Sequence, residues 1–136
     1  MAKDHSLALR QAIVTALRAD AGVSAIAGAR VYGMQVPDGA AWPFIRYGAP
    51  LTSIYESSCS QGSDSDVTLH AFAKGPGEDD CAELAAAVAD ALASDNLPLA
   101  DGLGLVSLDW ISTQILEYPE EDGFRAVIRF QIVTEE

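Results

Sequence analysis

The clearest pattern lies at the end of the chain. Phe124, Ala126, Ile128, Phe130 and Ile132 fall on one face of an extended segment; Arg125, Val127, Arg129, Gln131 and Val133 fall on the other. A period of two marks a strand that lays one face on a core. Residues 66–73 alternate in the same way, with Val67, Leu69 and Ala71 against Thr68, His70 and Phe72. Residues 105–117 form a long strand, with Val106, Leu108, Trp110 and Ser112 assigned to one side. Its phases blur around Ile111, which predicts a bulge or an exposed apolar edge. Shorter strands are expected over 30–34 and 42–48, and residues 51–55 continue the second after a kink at Pro50. Pro43 offers no ladder donor and belongs at a strand start or an edge.

Two stretches change period. Leu9, Ala12, Ile13, Ala16 and Leu17 recur at helical spacing, giving a helix over about residues 6–19 with Ser6 as its N-cap and Gly22 as its stop. Residues 24–28 add one turn closed by Gly28. Cys81, Leu84, Ala85, Val88 and Leu92 make a second stripe. Glu78, Asp79 and Asp80 open that helix, where negative charge meets the positive end of its dipole. It ends near residues 94–96, with Pro98 beyond. Residues 101–104 and 118–123 read as turns. Residues 56–65 are polar and serine-rich and read as a flexible hairpin loop or arm. The order α-β-β-β-α-β-β predicts an α+β fold: a mainly antiparallel sheet of about five strands with two helices on one face. Residues 1–136 form a single domain by length.

Charge narrows the partners. Eight basic and twenty acidic residues give a net charge of -12, which repels phosphate backbones. Identical copies also repel, so a homo-oligomer must rest on apolar and backbone contacts, strengthened by salt. No apolar run approaches the ~20 residues of a membrane span, and the first six residues lack signal-peptide architecture, so synthesis in the cytoplasm is expected. Cys59 and Cys81 cannot form a zinc pattern alone. Cys81 is expected to be a small buried hydrophobe, and Cys59 a free thiol in a polar loop.

Candidate chemistry is sparse. His5 sits at an end expected to fray, and His70 lies inside a strand. No nucleophile elbow is present. Gly102-Leu103-Gly104 leads into a strand and is a turn. Asp64 with Asp66, or Glu78 with Asp79 and Glu83, could approach a hard cation, but they read more simply as solvated or dipole-compensating charge. No catalytic, cofactor or metal residue is assigned. The candidate contact residues are Ser58, Gln61 and Asp64 in the arm, Arg125, Val127 and Arg129 on the outward face of the last strand, and Glu120 and Glu121 in the acidic turn.

In their order and spacing these segments resemble the tail-completion, or tail terminator, proteins of long-tailed phages and gene transfer agents. The resemblance runs through Leu9-Arg10-Gln11-Ala12-Ile13, Ala19-Asp20-Ala21, Arg30-Val31-Tyr32, Pro43-Phe44-Ile45, Val67-Thr68-Leu69-His70-Ala71-Phe72, Leu84-Ala85-Ala86-Ala87-Val88 and Phe130. It implies a structural virion protein without cofactor or catalysis. Its partners would be other copies of itself in a hexameric ring, the tail tube protein and the head-tail connector or stopper. It implies a ring in the virion tail that stops tube polymerisation and joins tail to head. DNA would pass through the lumen without specific binding. An acidic lumen wall fits that passage. A different class remains open on the residues alone: a small acidic adaptor or inhibitor that binds a basic protein through its charged turns.

Overall fold

The computed structural model describes residues 4–56, 61–93, 97–100 and 102–136. Helices α1 (Ser6–Ala19) and α2 (Ala21–Ala27) precede four strands, β1 (Val31–Tyr32), β2 (Phe44–Tyr47), β3 (Leu51–Glu56) and β4 (Gln61–Ala73). Helix α3 (Asp79–Leu92) follows, then β5 (Gly104–Tyr118), a short 3-10 turn and β6 (Gly123–Glu135). The strands form one six-stranded sheet in the order β1-β2-β4-β6-β5, with β3 beside β4. All pairs are antiparallel except β1 with β2. The α+β expectation holds, with one helix and one strand more than predicted.

The helix boundaries follow capping chemistry. Ser6 is the first helical residue rather than the cap, and His5 holds the cap position without a side-chain hydrogen bond. Asp20 is extended and separates α1 from α2; its Oδ2 accepts from Val23 N at 3.0 Å. An acceptor placed there satisfies an amide that the new helix leaves free. Gly22 therefore lies inside α2 rather than ending α1. Gly28, at φ 60°, closes α2.

All three helices supply one side of the core. Leu9, Ile13 and Leu17 of α1, Val23 of α2 and the predicted stripe of α3 are buried against Ile45, Val67, Leu69, Ala71, Ile128 and Phe130 of the sheet. Phe124 to Ile132 take the face the alternation assigns them. The last strand is not an edge, however: β6 pairs along its length with both β4 and β5.

Three local readings change. Within the segment expected as an arm, residues 61–65 are strand and pair with both β3 and β6. Pairing on two sides satisfies the backbone and overrides a serine-rich composition that reads as loop. Ser63 and Ser65 are buried. Second, residues 51–56 form their own strand, laid along β4 beyond the stretch that pairs with β2. Third, β5 carries two register breaks, at Val106 and Ile111. The break at Ile111 is where the phases blur. Each bulge inserts one residue and reverses the alternation. Leu108 and Trp110 consequently share the helix-side face, opposite Ile132 and Phe130, while Ser112 opposes Arg129 on the other. Val106 stands in the bulge itself.

The start of the chain is tied down. His5 is buried; its amide donates to Ser63 Oγ at 3.0 Å, and its Nδ1 lies 2.9 Å from Thr134 Oγ1. This corrects the expectation of a frayed His5. It also explains the hydroxyls at this end of the sheet, since they meet a polar cover rather than a helix stripe.

Candidate functional site

Among the described residues no helix packs on the opposite face of the sheet; the segment carrying Trp42 covers one end of it. That end carries an aromatic cluster. Phe44 and Phe72 are cross-strand partners and stack at 4.7 Å between ring centroids. Trp42 meets their edges at 5.5 and 5.6 Å, and Tyr118 packs on Phe72 at 5.9 Å. Such offset and edge-to-face contacts exceed simple area burial in worth. Lys74 Nζ lies 5.0 Å from the Trp42 ring centre, a cation–π contact. The Trp42-Pro43 peptide is cis, and Arg30 Nε donates to Pro43 O at 2.8 Å. Gly123 is needed here: a Cβ on it would stand 2.7 Å from the Trp42 ring. Together these residues border an open cavity of about 670 Å³, reached also by Met34, Pro37, Arg46 and Glu121.

Next along this face come the arginines. Arg125, Val127 and Arg129 occupy alternate positions of β6, opposite Phe72, His70 and Thr68 of β4. Arg46 stands opposite His70 on β2. Burial, and then the charges of Arg46, Arg125 and Arg129, pull His70 down to about 4. Its imidazole is therefore neutral at pH 7, and its Nδ1 has no hydrogen-bond partner among the described residues. Gly48 lets β2 close on this point. Its amide donates to Thr68 O at 2.7 Å, and a Cβ would stand 3.0 Å from His70 Nε2.

The expected contact residues divide between two ends. Arg125, Val127, Arg129 and Asp64 share the helix-free face. Asp64 accepts from Gln131 Nε2 at 3.2 Å to each of its oxygens. Val127 is only 7% exposed, so it presents little surface of its own. Glu120 and Glu121 are exposed in the 3-10 turn beside the aromatic cavity. Gln61 opens β4 at the other end, about 35 Å away at strand rise. Ser58 lies outside the described residues, as does Cys59. Cys81 is buried as expected; its thiol donates to Ala71 O at 3.6 Å, and burial pushes it up to about 11. Among the described residues no group of three or more His, Cys, Asp or Glu could hold a metal ion. Among the described residues no helix is long and apolar enough to cross a membrane.

The aromatic cluster was not among the expected contacts. Its signal was present: Phe44 and Phe72 hold the non-core phase of their strands, where polar residues are the rule, and Trp42 lies just before β2. Phe44 and Phe72 are themselves buried, so the rings that reach the surface are the half-buried Trp42 and Tyr118, beside four cationic side chains (Arg46, Lys74, Arg125 and Arg129) on a chain of charge -12. That arrangement suits protein docking.

Comparison with known proteins points to a virion tail protein. The family model described as tail completion protein gp17 matches residues 11–135. No curated protein matches the chain. Among solved structures, a chain from the virion of a native gene transfer agent particle superposes with a TM-score of 0.84 and 26% sequence identity. The match covers 96% of this chain and 97% of that one.

Proposed function

The chain belongs to the tail completion protein gp17 family, and on that premise we propose that it forms a ring closing the head-proximal end of a tail tube. Copies join into a closed ring, six in number by the family resemblance. The ring stops further tube growth and presents a surface to the head-tail connector. DNA crosses its lumen without specific binding. The role is one of assembly and asks for no catalytic group and no cofactor.

A single observation carries this reading. The likeness to a chain of a gene transfer agent virion covers 96% of this chain and 97% of that one. The acidic composition supports it, because a wall of carboxylates gives phosphates few contacts. The helix-free face, with Arg125, Arg129 and the aromatic cluster, meets the tube or the connector. The turn at Glu120 and Glu121 lies at the rim of that contact.

Deleting the gene from a particle-producing genome tests the proposal. Electron micrographs should then show heads without tails and tails of uncontrolled length. Particles of normal appearance and normal tail length would refute it.

A further inference from the structure

Besides the two-residue β1, the described sheet leaves β3 and β5 open along one side, and both carry exposed apolar side chains. On β3, Leu51 is 64% and Ile54 is 73% exposed; on β5, Val106, Trp110 and Ile111 are 43%, 54% and 55% exposed. Neither strand contains lysine, arginine or proline. Lysine and proline are among the devices by which natural edges avoid pairing with other chains, and β5 keeps two others, its bulges and the acidic Asp109 and Glu117. An open strand with exposed apolar side chains is a template for another strand.

The ladder register relates the two edges. Ile54 lies opposite Ser63, which lies opposite Thr134, which lies opposite Leu105, the neighbour of the bulged Val106. Leu51 connects in the same way through Asp66 and Gln131 to Asp109, the neighbour of Trp110. The apolar positions of the two edges therefore stand at matching heights on opposite sides of one sheet. Direction agrees as well. β3 is antiparallel to β4, β4 to β6 and β6 to β5, so β3 and β5 run in opposite senses. A second copy displaced sideways, without inversion, sets its β3 antiparallel to β5 of the first.

We propose that β3 of one copy pairs with β5 of the next, so that the sheet continues from subunit to subunit. This rests on the ring reading for its closure, though not for the contact itself. The contact is head-to-tail, the kind that closes by rotation. It places Ile54 opposite Leu105 and beside the bulged Val106 on the helix-side face, and sets Leu51 opposite Asp109 on the other face, with Trp110 one position along on the helix side. Backbone pairing and apolar burial are the terms able to overcome repulsion between chains that each carry -12. A template, here the end of a tube, would bring copies together at this contact.

Disulfide trapping tests the contact. Ser53 and Ser107 stand at one height through Asp64 and Val133. In a Cys59→Ser background, full-length Ser53→Cys and Ser107→Cys proteins are mixed on purified tail tubes and oxidised mildly. The mixture should give a cross-linked dimer that neither protein gives alone. A chain carrying both substitutions should give a ladder ending at the ring size. Ile54→Lys and Trp110→Lys, both at exposed positions, should keep the wild-type circular dichroism yet assemble at least about tenfold less readily. Rings without cross-links would overturn the edge contact and leave the ring standing. Cross-linked open chains that never close would leave the contact and overturn the ring. Absence of both rings and cross-links would overturn both.

Discussion

The two central strands and the two open ones differ in what covers them. β4 and β6 are paired along both sides, and their helix-facing residues, such as Val67, Leu69, Ile128 and Phe130, are almost wholly shielded. β3 and β5 are paired on one side only, and Ile54, Trp110 and Ile111 remain in solvent. Both pairs of strands are rich in β-formers. What separates them is position in the sheet: the centre holds the fold, and the edges hold surface whose burial awaits another chain. A monomer of this size needs no such apolar edges to be stable. Their presence is what assembly would require.

The sharpest way to break the comparison is to cut into the centre. Phe130→Ala removes a ring that is 1% exposed and should cost ~3 to 5 kcal/mol in urea unfolding. A cost under ~1 kcal/mol would mean that the centre is not what stabilises the fold. A smaller effect is expected from His70, which lies on β4 but on the face away from the helices. Its folded pKa, about 4, lies below the ordinary 6.5. The unfolded chain therefore binds more protons between these values, and stability falls as pH drops from about 6.5 through about 4. His70→Gln should flatten that part of the stability profile without abolishing folding. An unchanged slope would show that the imidazole is well solvated. The smallest effect on the monomer belongs to the edge. Ile54→Lys should shift monomer stability by no more than ~0.5 kcal/mol, although it blocks assembly. A large loss of monomer stability would place Ile54 in the core and dissolve the distinction.

This contrast also marks what the sequence discloses. The stripe of α3 and the phase of β6 are legible because each is a local period imposed by one buried face. The second helix is half legible: Gly28 signals its end, but Asp20 acts as a cap only because the chain turns there. Residues 61–65 look like loop by composition, and only pairing with β3 and β6 makes them strand. No local signal tells a central strand from an open one, so β6 could be read as an outer strand while its neighbours were unknown. The blurred phase at Ile111 did announce a bulge. The second bulge, at Val106, was hidden because one reversal of alternation near a strand end resembles an ordinary turn. The contact residues were least legible. Asp64 and Arg125 share a face through ladder register, whereas Gln61 and Glu121 lie at opposite ends of it. Such relations join positions about sixty residues apart.

Electron microscopy of purified tail tubes incubated with the full-length chain tests the central claim most directly. A collar seated on one end of each tube, with tube lengthening halted, is the predicted result. Tubes that stay bare and keep growing, with the chain sedimenting only as single molecules, would contradict it.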